Sequence, residues 1–93
     1  MPSIAERRKE TRRPAAGVVR LRPDGLMSQL TEGRLLDVSP SGFRARHRCQ
    51  ALTAGQLVEF EFRRTNGRAR VMWTQIRGKV VESGFYILTD GVR

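Results

Sequence analysis

The sequence predicts an all-β domain that closes as a small barrel. Short runs in which apolar and polar residues alternate recur along the chain. Turn-forming residues separate them. No helical pattern exceeds one turn, and the best candidate for that turn is residues 51–54.

Residues 1–14 are polar, rich in arginine and closed by Pro14. They read as an exposed arm that stays loose until an anion holds it, with the barrel domain in residues 15–93. The first strand is expected over residues 17–22, with Val19 and Leu21 facing inward. Pro23-Asp24-Gly25 is a turn signal. A second strand begins near Met27, passes a kink at Gly33 and runs to Val38.

The third strand has the clearest alternation. Phe43, Ala45, His47 and Cys49 share one face; Arg44, Arg46 and Arg48 share the other. His47 is expected to be buried and hydrogen-bonded. In the fourth strand Val58, Phe60 and Phe62 alternate with Glu59, Glu61 and Arg63. Thr65-Asn66-Gly67 reads as a hairpin turn, because Asn-Gly accepts positive φ. The fifth strand, residues 68–77, puts Ala69, Val71 and Trp73 on one face, which makes Trp73 a core residue. Gly78-Lys79 is a tight connection. The sixth, residues 80–88, carries a bulge at Gly84. Five or six short antiparallel strands joined in this way form a small closed barrel.

At 93 residues, with 39% hydrophobic content, the chain is one small domain with a modest core. A formal net charge of +9 calls for an anionic partner. One cysteine, Cys49, excludes an internal disulfide and suits a reducing cytosol. No apolar run approaches the ~20 residues of a membrane helix, and no signal-peptide core follows the start, so a cytoplasmic protein without membrane insertion is expected.

Two motifs carry the chemistry. The arm contains Arg7-Arg8-Lys9-Glu10-Thr11-Arg12-Arg13, with an R-x-x-x-R spacing from Arg8 to Arg12. A guanidinium fork grips a phosphate through two hydrogen bonds, reads the O6/N7 edge of guanine in the same way, or stacks on a purine. Alone, the cluster reads first as a solvated basic tail. The second motif is Asp37-Val38-Ser39-Pro40-Ser41-Gly42, followed by Phe43. Asp37 can accept from a guanine N1/N2 edge or a turn amide, and Ser39 can bond a phosphate or a base. Gly42 permits a backbone conformation or a close approach that a Cβ would block. Alone, this is also an ordinary turn between two strands.

The two motifs in this order, followed by an alternating strand, resemble the PilZ domain family. The likeness runs over about residues 6–90 and includes Gly67-Arg68-Ala69-Arg70-Val71-Met72-Trp73 and Gly84-Phe85-Tyr86-Ile87-Leu88, which are similar to the family's closing hairpin. The resemblance implies a six-stranded antiparallel β-barrel that binds cyclic di-GMP, a bacterial second messenger. It assigns phosphates and a guanine to Arg8 and Arg12, and another guanine edge to Asp37, Ser39 and Gly42. Arg7 matches members in which an arginine there goes with a stacked dimer of the ligand. Arg13, Arg44, Arg46 and Trp73 are secondary candidates for the same site.

One histidine, one cysteine and few carboxylates leave little material for catalysis, and there is no metal-ligand spacing or Gly-rich phosphate loop. No catalytic residue, metal or cofactor is expected besides the ligand. The chief rival is a small basic barrel that binds nucleic acid. Such barrels interleave exposed aromatics with cations, whereas aromatics here are 6% of the chain and most fall on core faces. A same-fold adaptor that binds only protein is disfavoured by the intact motifs. The resulting reading is a single-domain receptor in a bacterial cytosol that signals through an unidentified downstream protein.

Overall fold

Seven strands, all antiparallel, make up a computed structural model that describes residues 11–24 and 29–89. They are β1 (Arg13–Pro14), β2 (Val18–Pro23), β3 (Thr31–Ser39), β4 (Gly42–His47), β5 (Leu57–Phe62), β6 (Thr65–Arg77) and β7 (Val80–Thr89). Hydrogen bonding runs β3-β2-β5-β6-β7-β4, and β4 returns to β3. The result is a closed six-stranded barrel with one short extra strand. That strand, β1, pairs Arg13 with Val38 and Pro14 with Asp37. It lies on the same edge of β3 that β2 uses further along.

The alternation in the sequence is the alternation of the barrel wall. Val19, Leu21, Phe43, Ala45, Val58, Phe60, Ala69, Val71 and Phe85 all point inward and are buried. Phe43 is the hub: its ring stacks on Phe85 at 4.6 Å and meets Phe62 edge-on at 5.0 Å. Each such pair contributes about 0.5–1.5 kcal/mol beyond simple area burial. Side chains fill the interior, so the barrel is a packed core and not a channel.

Four local expectations differ from the structure. First, residues 51–54 form turns, and no helix occurs among the described residues. Leu52 still drops into the core.

Second, the β5–β6 hairpin turns at Arg63-Arg64, with Phe62 opposite Thr65 and Arg63 at φ 56°. Asn66 and Gly67 lie inside β6. The reason is volume. This register sets Gly67 opposite Phe60 and Ala69 opposite Val58. A turn at Asn66-Gly67 would set Trp73 opposite Phe60 instead.

Third, the bulge near Gly84 sits on the facing strand. Val71 pairs with Phe85 and Trp73 with Gly84, so Met72 is the extra residue; a second extra residue, Leu88, lies in β7.

Fourth, the Met72 bulge reverses the inward-outward alternation of β6. Thr74 therefore reaches inward to Ser83, and Trp73, expected in the core, is outside at 37% exposure.

His47 is buried and hydrogen-bonded, as its strand parity predicts. Its Nδ1 accepts the Cys49 amide at 3.0 Å. A neutral ring then carries its proton on Nε2, which donates to Ser83 Oγ at 2.8 Å. Ser83 is in turn 2.7 Å from Thr74 Oγ1. Burial pushes the imidazole below its ordinary pKa.

Candidate functional site

The D-x-S-x-x-G segment is the β3–β4 hairpin. Asp37, Val38 and Ser39 close β3, Pro40 and Ser41 form the loop, and Gly42 opens β4. Ser39 pairs with Gly42 across the loop, and Ser39 Oγ donates to the Gly42 carbonyl at 3.4 Å. The Ser41 carbonyl accepts the Ile87 amide at 2.8 Å, which ties the loop to β7. Gly42 is required by this packing. A Cβ there would strike the Phe85 carbonyl.

Asp37 is the centre of the site. Leu36 is an extra residue in β3, so Asp37 follows it onto the outer face, opposite Arg44. It is only 6% exposed because two arginines cover it. Arg12 Nη1 donates to Oδ1 at 2.7 Å, and Arg44 Nε donates to Oδ2 at 2.6 Å. The hydrogen bond to Asp37 raises the Arg44 pKa, assisted by the negative charges of Asp37 and Glu82 and opposed by burial. Two guanidinium groups share one carboxylate, so the cluster keeps a net positive charge. Such a cluster attracts phosphate.

Strand pairing extends the site across the barrel wall. Asp37, Arg44, Gly84 and Trp73 are successive partners on β3, β4, β7 and β6. Ser39, Gly42, Tyr86 and Arg70 form the adjoining row. Arg46 lies one row further, between Arg34 and Glu82, and is held by Glu82 at 3.2 Å. Trp73 lies over Gly84, where any Cβ would strike the indole.

On the outer wall the structure brings Arg12, Asp37, Ser39, Gly42 and Arg44 together, with Arg46 at their border, and puts Trp73 at the far end of the same strand row, three strands around the barrel from Asp37. Arg13 is exposed on β1, opposite Val38. Arg7 and Arg8 lie outside the described residues. Of the expected arm, Arg12 to Pro14 rest against β3. Two residues of this face were not singled out from the sequence: Tyr86, 46% exposed, and Arg70. The signal was present, since the inward position of Phe85 puts Tyr86 outward.

A groove of about 390 Å³ lies elsewhere, over β2, β5 and β6. Its charged residues are paired: Arg20 with Glu61 and Arg22 with Glu59 within the groove, and Arg68 with Asp24 outside its lining. It contains no residue of either motif. Among the described residues there is no cluster of His, Cys, Asp or Glu fit for a metal ion. None forms a helix long and apolar enough to cross a membrane.

Comparison with curated proteins gave no match. The PilZ domain family matches over residues 6–89, nearly the whole chain. PilZ domains are cyclic di-GMP receptor domains, and a barrel in which Arg12 pairs with Asp37 at the D-x-S-x-x-G hairpin has that form. The chain belongs to the PilZ domain family.

Proposed function

We propose that this chain is a non-catalytic receptor for cyclic di-GMP that works in a bacterial cytosol and reports to a downstream protein. One observation carries the reading: Arg12 and Arg44 converge on Asp37 beside the Ser39–Gly42 hairpin, and the row they begin ends at the half-exposed indole of Trp73. Phosphate, guanine edge and purine face are the three features such a ligand offers. Arg8 and Arg12 take the phosphates and a guanine, with Arg44 and Arg46 in support. Asp37 and Ser39 take a guanine edge beside Gly42. Trp73 supplies a stacking surface. Arg7 and Arg13 add charge for a second, stacked copy of the ligand.

The signal lies in the arm. Without ligand, the Asp37 carboxylate competes with phosphate for Arg12. With ligand, two phosphates draw Arg7, Arg8 and Arg12 together and cancel their mutual repulsion. The ordered arm, the ligand and the barrel wall then form a surface that was absent before. Hydrogen exchange over residues 5–14 should slow on saturation with cyclic di-GMP.

A second reading has one observation in its favour. Trp73 and Tyr86 are exposed among arginines, as on barrels that stack single-stranded nucleic acid. Calorimetric titration with cyclic di-GMP, GTP and a short single-stranded DNA separates the two. Tightest binding of cyclic di-GMP supports the receptor. Equal or tighter binding of DNA overturns it.

A further inference from the structure

Four of the chain's six aromatic side chains are phenylalanines, and all four are buried in the barrel. The other two, Trp73 and Tyr86, both stand outside, on neighbouring strands. Trp73 is opposite Gly84, and Tyr86 follows Gly84 by two residues on β7. Diagonal neighbours of this kind are about 7–8 Å apart.

Tyr86 is also the direct partner of Gly42. The phenol makes no hydrogen bond to any described residue. Gly42 and Gly84 are themselves diagonal neighbours on β4 and β7, and neither can carry a side chain without a collision. Between Ser39 on β3 and Tyr86 on β7 the wall therefore has a bare step at Gly42. That gap spans two strand spacings, about 9–10 Å. It has the turn hydroxyl on one side, a free aromatic on the other and the Trp73 indole at its corner.

We propose that Tyr86 is the wall of a base site, packing its ring against a purine seated over Gly42. The inference rests on the cyclic di-GMP reading and adds to it the residue that completes the base contact. An aromatic side chain suits this place because every base has a π face, and stacking tolerates small shifts in position. Leu88, also exposed on β7, is the internal control. It continues the apolar strip but has no ring.

The test uses the full chain and its Tyr86→Ala, Tyr86→Phe and Leu88→Ala variants, each titrated with cyclic di-GMP by calorimetry. Tyr86→Ala should lose on the order of tenfold or more in affinity. Tyr86→Phe should stay within about threefold of the parent, since the ring remains. Leu88→Ala should bind as the parent does. Thermal melts of all three should match the parent, because both side chains are exposed. Parent-like binding by Tyr86→Ala overturns the wall alone, as does an equal loss in Leu88→Ala, which would mark the strip as a general apolar surface. No binding by the parent overturns the cyclic di-GMP reading and the wall together.

Discussion

Trp73 lies across Gly84, so its indole fills the space in which a side chain at position 84 would stand. Gly84→Ala should therefore lift the indole away from the barrel wall. The indole is half exposed and can swing, so the expected cost is about 1 kcal/mol, the low end for overpacking. Tryptophan emission should shift to longer wavelength as the ring enters water. An unchanged emission maximum would show that the ring had not moved.

Asp37→Ala removes the anchor shared by Arg12 and Arg44. The pairs are partly exposed on the arginine side, so the stability loss should be modest, roughly 1 kcal/mol. Binding of cyclic di-GMP should weaken as well, because two guanidinium groups lose their placement. Denaturant midpoints and calorimetry on the same samples separate the effects. A lower midpoint with full affinity per folded molecule would make Asp37 a turn residue only.

Arg12→Ala should divide the two properties the other way. Its guanidinium is half exposed, and its loss should change stability by less than about 1 kcal/mol. Affinity should fall by about 2–4 kcal/mol if Arg12 holds a phosphate, and the parent's affinity should decline with salt. Wild-type affinity in this variant would remove Arg12 from the site.

His47 predicts a pH dependence. Its folded-state pKa lies below the ordinary value of 6.5 because burial disfavours the charged ring. The unfolded chain therefore binds the extra proton first on acidification. Stability is complete above about pH 6.5 and falls as the pH drops below it, until the folded-state pKa is reached. Protonation also costs the Cys49 N–H···Nδ1 bond. Urea midpoints taken between about pH 7 and 5 should decline in the parent, and less steeply in His47→Gln. Identical slopes would assign the decline to other groups.

Arg63 holds φ 56° in the two-residue β5–β6 loop. That region strains any residue with a Cβ. Arg63→Gly should therefore stabilise the protein by up to ~1 kcal/mol, less what the freer unfolded chain takes back. A lower melting temperature would contradict this account of the loop.

Much of this barrel was legible because a strand wall alternates strictly. Val19, Phe43, Phe60 and Val71 needed only their parity to be placed inside. The D-x-S-x-x-G turn was legible because its residues are those a tight hairpin uses. Trp73 was misplaced because the Met72 bulge, which has no sequence mark, reverses parity two residues after Val71. The β5–β6 turn was misplaced because Asn66-Gly67 has the stronger local signal. The rings of Phe60 and Phe62 favoured small residues opposite them, and that preference is visible only once the strands are paired. Tyr86 was overlooked for a different reason: an exposed tyrosine acquires meaning only from Gly42 beside it.

Closure of the wall around the Phe43 hub has a consequence for how such a receptor can diverge. On β4, Phe43, Ala45 and His47 are committed to the interior, while Gly42, Arg44 and Arg46 alternate with them on the outer wall. Folding and the proposed recognition are written on alternate letters of the same strand. Substitutions at Arg44 and Arg46 can change the charge of the outer wall while the inward residues of the strand stay untouched. Gly42 is the exception, since the Phe85 carbonyl ties it to both texts.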